Sequence, residues 1–249
     1  MSDATLFAFD ENEHEVSFNA RPNAENPTIV YHRLRKPTLA ELIEREQQIN
    51  YELVEVNSRE EEIRADEDVA NARLWDKIIL AVKGYRGIDD WYEPTAEEKA
   101  AMRPGHKIMS IRALYAGDYK IEGDEDGVSI GADLWTVRQE IGPNADAPDY
   151  VVRHQLREPT EAERIKFKRN SSATSYVKGA KKTQVRVRAN LKAYVELYDA
   201  LIEFVSNATV GGKEFGGNNA NAFLAAIDPM WKRQVIQCLM NNLEAQLSD

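Results

Sequence analysis

The stretch PNAENPTIVYHRLRKPTLAE at residues 22–41 returns as PNADAPDYVVRHQLREPTEAE at residues 143–163. A repeated phrase of this length constrains the fold more than any composition can, because each copy has to form one supersecondary unit twice. Two further blocks recur in the same order. LWDKIILAV (74–82) returns as LYDALIEFV (197–205), and HKIMSIRALY (106–115) returns as WKRQVIQCLM (231–240). The offsets are 121, 123 and 125 residues, so the drift is small. The pattern is that of a tandem duplication, with copies over 1–122 and 123–249. The Gly/Asp-rich segment EGDEDGVSIGAD (122–133) reads as the turn or linker between them.

Within each copy, short β-branched and aromatic runs at 15–21 and 28–35, and again at 134–141 and 150–157, read as paired antiparallel strands. Further strands are expected at TLFAF and, more weakly, in YKIEGDEDGVSI. Pro37 and Pro159 then end a strand, because proline has no ladder donor. Thr38 and Thr160 are placed to cap the next helix, and Glu41 and Glu163, three residues on, complete a capping box. Thr95 and Glu98 repeat the device. Leu74, Ile78, Ile79 and Val82 form one helical apolar stripe. Leu191, Tyr194, Val195, Tyr198, Ile202 and Val205 form another. Asp228 and Pro229 start a last helix carrying Trp231, Val235, Leu239, Leu243 and Leu247 on nearly one face. The segment 209–222, TVGGKEFGGNNANA, reads as the most flexible. The expected fold class is α+β: two tandem copies of a small domain, each a short antiparallel sheet followed by about three helices.

The candidate chemistry is sparse. The four histidines, His14, His32, His106 and His154, lack zinc-ligand spacing, and His32 and His154, at equivalent strand positions, read as structural. GGKEFGG lacks the order of a phosphate loop, and GDEDG lacks the spacing of a calcium loop. Trp75, Tyr198 and Trp231 fall in apolar stripes and read as core. The single cysteine, Cys238, reads as a buried small hydrophobe. No apolar run reaches the roughly 18 residues that a bilayer span needs. No secretion signal is read at the N-terminus, so a cytosolic protein is expected. No catalytic residue, metal site or cofactor is assigned, and a non-enzymatic protein is expected.

One feature stands out. Residues 164–192 hold ten basic side chains and no acidic one, whereas the matching stretch of the first copy is rich in Glu and Asp between residues 52 and 68. The first copy holds 16 basic against 25 acidic residues and the second 16 against 17, so the net charge of −10 lies almost wholly in the first. The duplicated halves have diverged to opposite charge at one place. A solvated face would account for either run alone. Complementary patches on successive molecules would account for both, through a heterologous contact. The partner-binding candidates are therefore Glu60, Glu61, Glu62 and Asp66 on the acidic strip, with Lys181, Lys182, Arg186 and Arg188 on the basic one.

The order of motifs in both halves, Leu-Arg-x-Pro-Thr (34–38 and 156–160), an aromatic-Asp helix (75–76 and 198–199) and a Pro-x-x-Lys helix (104–107 and 229–232), resembles small structural and tail-assembly proteins of tailed bacteriophages. The resemblance implies a non-enzymatic part in building a phage particle, in the virion after assembly in the host cytoplasm. Its partners would be other phage structural proteins or further copies of itself, without a membrane. Two alternatives stay open: a tail assembly chaperone absent from the mature virion, and an adaptor that binds nucleic acid through the basic strip, a role the acidic net charge disfavours. The tandem duplication and the acidic segment 52–68 depart from the family pattern.

Overall fold

The computed structural model describes residues 6–21, 25–57, 60–117, 119–122, 134–141, 150–178 and 183–246. In chain order the elements begin β1 (Phe7–Ala8), β2 (Glu13–Asn19), β3 (Ile29–Arg35), α1 (Leu39–Gln47), β4 (Asn50–Asn57), β5 (Glu60–Asp66), α2 (Asp68–Ile78) and β6 (Ile79–Lys83). Then come α3 (Ala96–Ala101), α4 (Pro104–Leu114), β7 (Tyr119–Glu122), β8 (Leu134–Ile141), β9 (Tyr150–Arg157) and α5 (Glu161–Ser171). The chain continues with β10 (Ser172–Lys178), β11 (Thr183–Ala189), α6 (Leu191–Leu201), β12 (Ile202–Ser206), β13 (Ala208–Val210), β14 (Lys213–Glu214), α7 (Ala220–Ala226) and α8 (Pro229–Gln246). The fold is mixed α+β. No helix among the described residues is long and apolar enough to cross a membrane.

Two compact units are woven from non-contiguous segments. One comprises Met1–His14, Leu114–Arg164 and Tyr194–Asp249, and the other Glu15–Ala113 and Ile165–Ala193. They are named here by their core tryptophans, Trp231 and Trp75.

In the Trp75 unit, β2, β3 and β6 form a three-stranded sheet, with β3 and β6 antiparallel. Val30, Leu34, Leu42, Leu74, Trp75, Ile78, Val82 and Ile111 are buried there. Two hairpins belong to the same unit. β4 pairs with β5, and β10 pairs with β11, both antiparallel. In the Trp231 unit the antiparallel order is β12-β9-β8-β7, and a smaller sheet sets β1 parallel to β13 and β13 antiparallel to β14. Its core is aromatic: the Phe7 ring packs edge-on against Phe9, Tyr150 and Trp231 at centroid distances of 5.1, 5.3 and 5.4 Å.

Several sequence expectations are corrected. Among the described residues each half contains four helices, interleaved with strands rather than following them. The stripe Leu74 to Val82 is not one helix: α2 stops at Ile78, and Ile79 turns extended (φ −66°, ψ 127°) to begin β6. The stripe from Leu191 likewise leaves the helix at Leu201 and becomes β12. β-branched residues at the ends of both stripes gain a ladder partner, β6 on β3 and β12 on β9, each with a bulge. The acidic strip runs along β4 and β5 into the start of α2, and the basic strip along α5, β10 and β11 into the start of α6. The segment at 209–222 is an ordered β13–β14 turn leading to α7, with Gly211 and Gly212 at φ +59° and +70°, where glycine costs least. Cys238 is half-buried rather than buried.

Candidate functional site

The motifs that repeat in sequence form connected sets of side chains. In the Trp75 unit, Trp75 Nε1 on α2 donates to His32 Nδ1 on β3 at 2.9 Å. The adjacent Asp76 accepts from Lys107 Nζ on α4 at 2.6 Å, and the same ammonium lies 5.1 Å from the Trp75 ring centroid. In the Trp231 unit, Tyr198 on α6 meets His154 Nδ1 on β9 at 2.7 Å. Asp199 accepts from Lys232 Nζ on α8 at 2.6 Å, and that ammonium lies 5.4 Å from the Tyr198 ring. An ammonium over a ring face is favoured by the ring quadrupole, so the aromatic contributes on its face and at its edge together.

The hinge motif closes the same circuit. Arg35 makes a two-pronged pair with Glu41, at 2.9 and 2.5 Å, and donates to the Lys77 carbonyl at the end of α2, at 3.1 Å. Arg157 pairs with Glu163 at 2.9 and 2.7 Å and donates to the Ala200 carbonyl, at 3.0 Å. In both hinges the glutamate also accepts from the threonine N–H, at 2.9 Å, while its own N–H donates to the threonine hydroxyl at 3.3 Å. One glutamate thus caps a helix and anchors an arginine that satisfies a helix C-terminal carbonyl, a group otherwise without an intrahelical partner. The guanidinium beside Glu41, with the Thr38 bonds, holds that carboxyl down at about 2 despite desolvation, and Arg157 does the same for Glu163.

Proton placement follows from donor chemistry. An indole N–H can only donate, so His32 Nδ1 is an acceptor and the neutral ring carries its proton on Nε2. That nitrogen lies 2.8 Å from Tyr85 Oη, and the tyrosine in turn lies 3.2 Å from His106 Nδ1, so the chain runs from Trp75 through His32 and Tyr85 to His106. In the Trp231 unit His154 Nε2 donates to Gln139 Oε1 at 2.8 Å, so Nδ1 accepts from the Tyr198 hydroxyl. The chain continues from Gln139 through Tyr119 to Gln234, at 3.0 and 2.7 Å. Burial pushes both His32 and His154 down to about 3, with the charge of His106 adding to the effect on His32. Burial also lowers Lys232, with Asp199 opposing, and raises Tyr198 and Tyr85. Both rings are neutral with both nitrogens engaged, so their chemistry here is to lock strand to helix. This agrees with the structural reading of His32 and His154. The sequence reading missed the role of Tyr85 and His106: the repeat sets His106 opposite Trp231, whereas the other half's chain runs through Gln139, Tyr119 and Gln234.

The charged strips behave differently. Glu60, Glu61 and Glu62 open β5, facing Asn57, Glu55 and Val54 of β4. Asp66 closes β5 and accepts the Asp68 N–H at 3.1 Å, at the start of α2. Arg186 and Arg188 lie on β11 opposite Ser175 and Ala173, while Lys181 and Lys182 lie outside the described residues. Both hairpins belong to the Trp75 unit, and β11 runs beside β4 without joining its ladder. The two hairpins, one from each half of the sequence, therefore belong to one compact unit. Leu191, just after β11, donates its N–H to the buried Glu46 carboxylate of α1 at 3.0 Å. No cluster of three or more metal-binding side chains occurs among the described residues.

No family model matches the chain, and no curated protein or solved structure shows significant similarity to it.

Proposed function

We propose that this chain is a tandem duplication of a small α+β domain and works, without catalysis, as a structural or assembly component of a tailed bacteriophage particle. The observation that carries the reading is that the three motifs resembling phage tail-assembly proteins form one linked set of contacts in each half. The hinge arginine reaches the end of the aromatic-Asp helix, and the aspartate of that helix holds the lysine of the Pro-x-x-Lys helix. Motif residues spent on holding strands to helices leave the hairpins as the parts free to diverge, and it is the hairpins that differ in charge. Partners are then phage structural proteins or further copies of the chain, met through Glu60, Glu61, Glu62 and Asp66 or through Lys181, Lys182, Arg186 and Arg188. A nucleic-acid role for the basic hairpin is not favoured, since the net charge of the chain is −10.

Mass spectrometry of purified particles, calibrated for copy number, tests the reading. A fixed number of chains per particle is expected. Abundance in infected cells together with absence from particles would replace it with a chaperone that leaves before maturation.

A further inference from the structure

In the Trp231 unit β8 lies between two strands, with β9 on one side and β7 on the other. The repeat sets β2 of the Trp75 unit at the place of β8. Val16 matches Val137, and Phe18, whose ring meets His32 edge-on at 5.0 Å, matches Gln139, which bonds His154. Yet β2 has β3 on one side and, among the described residues, no strand on the other. The side chains register the difference. Gln139, bonded to Tyr119 of β7, is fully buried, whereas Phe18 is only half-buried, and Glu13 and Glu15 are exposed. The Ala20 N–H donates to the Thr28 carbonyl at 2.8 Å, so the even-numbered residues of β2 bond to β3. The N–H and C=O groups of Glu15, Ser17 and Asn19 then point away from β3, and no partner for them occurs among the described residues.

An open strand edge is a template for a further strand. We propose that the occupant is β2 of a second copy of this chain, run antiparallel about a two-fold axis through Ser17, so that the two sheets join into one. In this register the strand is complementary to itself. Each outward N–H meets an outward carbonyl, Glu15 with Asn19 and Ser17 with Ser17 of the second copy. On the inner face Val16 lies opposite Phe18 of the second copy, a β-branched and aromatic pair that covers the half-buried ring. On the outer face Glu13 lies opposite Arg21 of the second copy, both exposed, and the two-fold axis makes this pair twice. Other registers are poorer. An axis through Glu15 would set Glu15 against itself, and like charges directly opposite are destabilising. An axis through Asn19 would call on the Arg21 N–H, which is already given to Asn19 Oδ1 at 2.9 Å. The contact is symmetric and closed, so it yields a dimer and stands whether or not the chain enters a particle.

Sedimentation equilibrium of the full chain over a wide concentration range tests the dimer. Wild type is expected to form a species of twice the 28.3 kDa chain mass as concentration rises. Ser17→Pro removes an N–H that β3 does not use, so this variant should fold, by circular dichroism and its melting curve, and stay monomeric. Glu13→Arg and Arg21→Glu each set like charges opposite one another, and each alone should weaken the dimer about tenfold. Their equimolar mixture, in which opposite charges face each other at both ends of the contact, should dimerise as wild type does. Should Ser17→Pro fail to fold, the charge variants decide. A wild type that stays at 28.3 kDa throughout, a folded Ser17→Pro that dimerises like wild type, or charge variants that dimerise equally alone and mixed would each overturn the edge contact. A chain present in particles yet monomeric in this experiment would overturn the edge contact while leaving the assembly reading in place.

Discussion

His32 and His154 show how far burial decides the chemistry of a residue. A free imidazole titrates near pH 6.5, but here the folded rings hold out to about 3 because a charged ring would lose solvation and meet a donor it cannot accept from. The sign of the linkage is definite. The unfolded chain binds the protons first, so the rings' contribution to stability is complete above pH 6.5 and is lost as pH falls toward 3, by about 4 kcal/mol per ring. Glu41 and Glu163, held at about 2, add a loss of the same sign at lower pH. Urea unfolding midpoints should therefore fall steadily below pH 6.5, and a midpoint flat from there to pH 4.5 would contradict the neutral, buried assignment. The lysines make a second test. Lys232 is buried, bonded to Asp199 and to the Leu224 carbonyl, both at 2.6 Å, so Lys232→Ala strands an acceptor and a carboxylate and should cost about 3 kcal/mol. Lys77 pairs with Glu44 at 2.5 Å but in solvent, and Lys77→Ala should cost less than about 1 kcal/mol. Equal losses in chemical denaturation would refute the distinction.

At the scale of elements, the hinges were legible in the sequence because capping is local chemistry: a Pro, a Thr and a Glu at fixed spacing, realised at Thr38, Thr95 and Thr160. The strands at 134–141 and 150–157 were legible for the same reason, since β-branched alternation needs no distant partner. The change from α2 to β6 was not. Leu74, Ile78, Ile79 and Val82 satisfy a helical stripe, and the reason to leave the helix is the distant strand β3. Nor were the hairpins: strands opening on three glutamates or carrying arginines oppose local β-preference and form only where the fold places a partner. Gly84, just after β6, gives this scale its prediction. It sits at φ +84°, where an added Cβ would come within 2.9 Å of the Ile29 carbonyl oxygen, so Gly84→Ala should lower stability by at least about 1 kcal/mol, read from the denaturation midpoint. Thr160→Ala should cost about 1 kcal/mol through the lost cap.

For the whole molecule, the repeat seen in sequence and the compact units are different divisions of one chain. Residues 165–193 lie beyond the repeat boundary yet complete the Trp75 unit, where Leu191 satisfies Glu46 and β11 lies beside β4. A fragment ending at residue 122 should therefore fail to give a cooperative melting transition, and a peptide of residues 165–193 added in trans should restore it. A fragment that melts cooperatively unaided would show that the exchanged segment is dispensable. Repetition made the pairing of motifs visible in the sequence. The exchange of segments was not visible, because it depends on contacts between residues more than 100 positions apart.

The central claim is that oppositely charged hairpins on a duplicated frame build a phage particle. Its most direct test is the number of chains per purified particle for wild type, for Lys181→Glu/Lys182→Glu, and for that change combined with Glu60→Lys/Glu61→Lys/Glu62→Lys. The account predicts a fixed number for wild type, a marked loss for the first variant and recovery for the combination. Absence of the wild-type chain from particles, or equal numbers in all three, would contradict it.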